Sequence, residues 1–99
     1  MKKYLLEENL IALDGSGIEP GYDHCIESWD ENPKEEDIIF WIKESINKHW
    51  KTKKVHSIYF TLFKIDEDDD RDEWTPMKEY FVELDRSKKI SETIIKKGI

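Results

Sequence analysis

Seven carboxylates lie within eight residues at Asp66-Glu67-Asp68-Asp69-Asp70-Arg71-Asp72-Glu73, and Trp74 follows directly. Asp66, Asp68, Asp70 and Asp72 alternate as the ligands of a calcium loop do. A calcium loop opening at Asp66 needs Gly where Arg71 stands and Glu where Met77 stands, so its turn and its closing bidentate ligand are both missing. The remaining chemistry of such a run is electrostatic. Crowded negative charge speeds encounter with a cationic partner and restricts which partners dock. Trp29-Asp30-Glu31 repeats the pairing of an indole with carboxylates. Trp is frequent among the desolvated anchors of interfaces, and Tyr22 is a third aromatic in a turn-rich stretch. The residues expected to bind a partner are therefore Asp66, Asp68, Asp69, Asp70, Asp72, Glu73 and Trp74, with Trp29, Asp30, Glu31 and Tyr22.

Other reactive types are present without the spacing that chemistry needs. His24 and Cys25 are neighbours, and on a strand neighbours point to opposite faces, so they do not converge on one ion. No CxxC, HxxxH or HExxH spacing occurs, so no metal is expected. Cys25 is expected to be a small buried apolar residue. Asp14-Gly15-Ser16-Gly17 is followed by Ile18-Glu19-Pro20, which has the wrong charge and structure for a phosphate cradle; it reads as a turn. No carboxylate is marked as buried beside a partner, so neither catalysis nor a cofactor is expected. Two basic groups remain, Lys48, Lys51, Lys53 and Lys54, and Arg86, Lys88, Lys89, Lys96 and Lys97. They read as helix-end complements and solubilising charges.

The elements holding these residues follow from periodicity. A helix is predicted from about Pro33 to Trp50, with Asn32 as N-cap and Glu35 completing a capping box. Ile38, Ile42, Ile46 and Trp50 form its apolar stripe, widened by Ile39 and Trp41, while Phe40 lies off it. Val55 to Ile65 is apolar on both faces, as a central strand should be. Lys78 to Asp85 alternates as a half-buried antiparallel strand, making the acidic run the connection of a hairpin. Tyr4 to Leu13 and His24 to Trp29 are two further strands, and Lys88 to Lys97 a short helix stopped by Gly98. The expected fold is α+β: a mostly antiparallel four-stranded sheet with one long helix packed on a face and a short C-terminal helix. The expected organisation is one domain over residues 1–99.

Charge and composition narrow the function. With 16 Lys and Arg against 23 Asp and Glu, the formal charge is −7, which disfavours direct binding to nucleic acid or an anionic membrane. The longest apolar run, Ile38 to Ile42, is too short to span a bilayer. Glu7 and Glu8 interrupt the start of any signal-peptide core. A single Cys excludes an internal disulfide and suits a reducing cytoplasm. The composition favours a small acidic protein-binding module that docks on a basic protein surface. A toxin or nucleic-acid-binding effector is one such partner, and bacterial or phage inhibitor, immunity and antitoxin proteins have this character. The alternatives are a homodimeric structural module, and a small ligand-binding domain or enzyme with a dispersed site. A deep pocket gathering His24, Glu27 or His56 would favour the last.

Overall fold

The computed structural model describes residues 3–12, 23–51, 55–65 and 74–98. Strands β1 (Tyr4–Ala12), β2 (Asp23–Trp29), β3 (Val55–Lys64), β4 (Thr75–Glu83) and β5 (Ile95–Lys97) form one sheet in the order β2-β1-β3-β4-β5. Every neighbouring pair is antiparallel. Helix α1 (Glu35–Trp50) joins β2 to β3 and lies across one face. No helix among the described residues is long and apolar enough to cross a membrane.

β3 is the central strand, as its two apolar faces predict. Ile58, Phe60 and Leu62 are buried with Leu6 of β1 and with Tyr80 and Val82 of β4. Ile38, Ile42 and Ile46 cover them from the helix. Burying an isoleucine contributes about 1.5–3 kcal/mol, so this stripe is the main apolar force holding the helix down. Val55 belongs to the same core although it shares sequence parity with exposed Tyr59. A bulge explains this: Ile11 pairs with Ser57 and Ala12 with Val55, leaving His56 as the extra residue and turning Val55 inward. Trp41 and Trp50, expected in the core, are half-buried at its margin. Phe40 is 55% exposed and meets the Trp41 ring edge-on at 5.3 Å.

The sheet has five strands, not four, and the C-terminal helix expected over Lys88–Lys97 does not form. A single 3-10 turn (Ile90–Glu92) leads into β5, which pairs Ile95, Lys96 and Lys97 with Val82, Phe81 and Tyr80. Two forces override the helical spacing. Thr93-Ile94-Ile95 is a β-branched run, and the outer edge of β4 offers backbone groups that need partners. Ile94, in the stretch expected to be helical, is 67% exposed. β4 starts at Thr75 rather than Lys78, with Pro76 tolerated where the β3–β4 register shifts.

The helix also begins later than expected. Its N-cap is extended Lys34, with no side-chain cap hydrogen bond, so the Asn32–Glu35 capping box does not form. The Glu35 carboxylate is drawn to the sheet instead, accepting from Tyr80 Oη at 3.0 Å and Lys78 Nζ at 3.2 Å, with Lys97 Nζ at 3.6 Å. At the other end Arg86, expected to be a surface charge, acts as a structural clamp. Its guanidinium donates to the carbonyls of His49, Trp50 and Leu84 at 3.2 Å each, and also to that of Val55. It lies 5.6 Å from the Trp50 ring centroid. The last carbonyls of a helix have no partner within it, and a planar cation with forked donors satisfies several at once.

Arg86→Ala should therefore lower unfolding free energy by about 2–3 kcal/mol in urea denaturation, with Arg86→Lys recovering only part of the loss. A loss within about 0.5 kcal/mol, the range of ordinary surface changes, would remove the clamp from this account.

Candidate functional site

Two assemblies stand out, one between the helix and the sheet and one at an end of the sheet. The first lies between α1 and the β1–β2 edge. Glu8 is 2% exposed, and its carboxylate accepts from Ser45 Oγ and pairs with His49 Nε2 at 3.2 Å. Beside it a cleft of about 310 Å³ is lined by His24, Ile26, Trp41, Glu44 and Lys48 among others. Burial pushes the Glu8 pKa up. Hydrogen bonds from His49 and Ser45, and the positive influence of His49 and His24, outweigh that and hold the carboxyl below the usual carboxylate range. Such a carboxylate is a poor base for a serine hydroxyl. Here it bridges Ser45 and His49, whereas a nucleophilic triad needs the imidazole between serine and carboxylate. The assembly pins the helix to β1. The cleft gathers His24 but neither Glu27 nor His56.

Cys25 is exposed, against the expectation of burial. β2 is an edge strand, and Cys25 pairs with Glu7 while His24 pairs with Glu8, placing the two on opposite faces. Burial pushes the thiol pKa up; its contact with the Glu27 carbonyl lowers it, and the charges of Glu7 and Glu27 raise it further. A thiol so shifted is a weak nucleophile. Among the described residues, no three His, Cys, Asp or Glu side chains are grouped to hold a metal ion.

The second assembly is the end of the sheet where β1 begins. Trp29, Tyr4, Lys64 and Thr75 form one cross-strand row. Lys3 N–H donates to the Trp29 carbonyl at 2.9 Å and Ile65 N–H to the Lys3 carbonyl at 2.7 Å, extending the ladder. Trp29 and Trp74, remote in sequence, thereby reach one end of the sheet. Asp30 and Glu31, both exposed, continue from Trp29, and Trp74 precedes Thr75. Residues 66–73, including Asp66, Asp68, Asp69, Asp70, Asp72 and Glu73, lie outside the described residues, as do Tyr22 and the turn at 14–17. Exposed Lys3, Lys34 and Lys64 share this end.

Trp29 and Trp74 are both half-buried, with different neighbours. Trp29 packs against the core beside Tyr4. The Trp74 ring lies 5.8 Å from that of Phe63, tilted by 55° to it, on the face away from the helix. That face continues through Thr61 to Tyr59, which is 49% exposed and lies 4.8 Å from the Phe81 ring. Among the described residues, no helix or strand covers it. Tyr59, Phe63 and Phe81 were legible only as strand residues, and Tyr59 is exposed because α1 occupies the other side. The Glu8 network left no mark in the sequence, because 37 and 41 residues separate its members.

Comparison with protein-family models, with curated proteins and with solved structures returns no match. The functional reading rests on the chain's own geometry.

Glu8 also sets a pH dependence. A carboxyl whose folded pKa lies below its unfolded value stabilises the fold fully above the unfolded value. That contribution shrinks as pH falls and is gone below the folded value. Glu8→Gln should therefore flatten the loss of stability as the pH falls through and below the usual carboxylate range, measured by urea denaturation at each pH. His49→Ala, which takes one hydrogen-bond partner from the buried carboxylate, should cost about 1–3 kcal/mol. Parallel stability–pH curves for wild type and Glu8→Gln would contradict this role.

Proposed function

We propose that this protein is a binding module for a basic protein surface, of the kind an inhibitor or immunity-like protein carries. The acidic end of its sheet steers the encounter, and the aromatic face beside it supplies contact area. One observation carries the reading: strand register gathers Trp29-Asp30-Glu31 and the borders of the 66–73 run at one end, where the Trp74–Phe63 contact opens onto the face that no described helix or strand covers. Surface carboxylates mainly raise association rates, whereas desolvated aromatic contacts slow dissociation. Exposed aromatic area bordered by charge is the usual anatomy of a docking surface.

Edge strand β2 supports a second reading, pairing between copies of the chain. It is seven residues long and its outer edge has no partner strand among the described residues. Glu27 Oε1 accepts from Ser28 N–H at 2.8 Å, which occupies one of the backbone donors available there. Sedimentation at several concentrations separates the two, since a dimer unaffected by salt favours pairing of copies.

Affinity capture from host cells at low and high salt should recover a basic partner preferentially at low salt. With that partner in hand, Asp30→Asn with Glu31→Gln, and separately Asp68, Asp69, Asp70 and Asp72 to Asn, should each lower the association rate. The two sets together should lower it by about tenfold or more at low ionic strength and flatten its salt dependence. Tyr59→Ala should act on the dissociation rate instead. Association rates unchanged by both charge sets would end the proposal.

A further inference from the structure

We infer that the outer edge of β2 and the groove between that edge and α1 dock an extended, lysine- or arginine-bearing segment of the partner, which adds to the sheet as a further strand. The inference deepens the reading above and rests on it for the basic character of the segment. β2 is a terminal strand of the sheet, and among the described residues no strand pairs with its outer edge. The backbone donors and acceptors on that side are a template for another chain. Glu27 Oε1 holds one of them, Ser28 N–H, at 2.8 Å, and an added strand exchanges that contact for one with its own carbonyl.

The groove beside this edge supplies side-chain contacts. It is the cleft of about 310 Å³, with Ile26 on the strand side, Trp41, Glu44 and Lys48 on the helix side, and buried Glu8 and Ser45 between them. α1 packs over the central strand β3, which leaves this space open beside β2. Phe40 stands one turn before Glu44 on the same flank of the helix, 55% exposed and edge-on to Trp41 at 5.3 Å. An unpaired strand edge and an aromatic helix flank are the two walls of a strand-addition groove. Backbone pairing holds the segment, and its alternate side chains enter the cleft.

Charge selects the occupant. Glu27 lies in β2, Glu44 overlooks the cleft, and exposed Asp30 and Glu31 continue from the Trp29 end of the strand, against Lys48 on the helix wall. Burial raises the thiol pKa of Cys25 in the middle of the strand, its contact with the Glu27 carbonyl lowers it, and the charges of Glu7 and Glu27 raise it further, so the field at this edge is negative. A segment laid along β2 reaches the acidic end described above. A second copy would bring the same carboxylates to the edge, and like charges across an interface repel.

The groove can be tested without the partner. A capped peptide of the same length as β2, seven residues, alternating lysine with valine and leucine, is titrated into the isotope-labelled protein and backbone amide shifts are followed. Saturable shifts centred on residues 24–29 and on the Trp41 indole are expected, with a dissociation constant on the order of 0.1–1 mM. A strand pairs with one neighbour through alternate residues of its backbone, so the decisive probes are two peptides N-methylated at the odd or at the even positions. One should bind as the parent does and the other at least tenfold more weakly. Glu44→Lys, at an exposed helix position, should weaken binding at least threefold, and Trp41→Ala at least fivefold. The first remains informative if the second disturbs the fold. Absence of saturation, equal binding of the two N-methylated peptides, or unchanged affinity in Glu44→Lys would overturn the groove. So would shifts of residues 24–29 with protein concentration alone, since a second copy would then occupy the edge. Failure here leaves the acidic end as a docking site, which is read from association rates. Failure to capture a partner leaves a positive peptide titration standing.

Discussion

A helix is about 10 Å wide, and five hydrogen-bonded strands span roughly 20 Å. The sixteen-residue helix of this protein therefore has to be placed on its sheet, and the placement decides which surface is left. Apolar packing of Ile38, Ile42 and Ile46 supplies attraction without direction. Direction comes from three polar contacts. Glu35 reaches Tyr80 and Lys78 on β4, Glu8 on β1 holds Ser45 and His49, and Arg86 ties the helix exit to the start of β3 and the end of β4. Each contact spans the two layers, so sliding or rotating the helix breaks at least one of them.

A second consequence is the uncovered face. With the helix fixed on one side, Tyr59, Phe63 and Phe81 share a face that no described helix or strand covers. Glu7 and Glu79 on the neighbouring strands border that face. The same strand order brings Trp29, Asp30 and Glu31 to the end of the sheet where Trp74 lies. The Glu8 assembly on the opposite side, though richer in reactive side-chain types, has its hydrogen-bonding capacity committed to holding the layers together.

The central β3 strand, the isoleucine stripe of α1 and the β3–β4 hairpin were legible because their signals are local: alternation, fourfold spacing and turn composition. The role of Arg86 was not legible. A lone arginine between Asp85 and Ser87 reads as a surface charge until the helix exit is brought against it. The C-terminal segment misled for a related reason. Its spacing of isoleucines suits a helix, yet three β-branched residues beside an unpaired strand edge gain more from backbone pairing.

By itself, the sequence determined the element types over most of the chain, the apolar residues that form the core, and a net negative charge concentrated in one run. These depend on side-chain chemistry and short-range spacing. Only the tertiary structure decided that there is a fifth strand, which side of the sheet the helix takes, and that Trp29 and Trp74 share an end. It also decided that Glu8 is buried beside Ser45 and His49 while Cys25 is exposed. Those outcomes turn on strand order and register, and a shift of one residue in register exchanges the faces of every side chain along a strand.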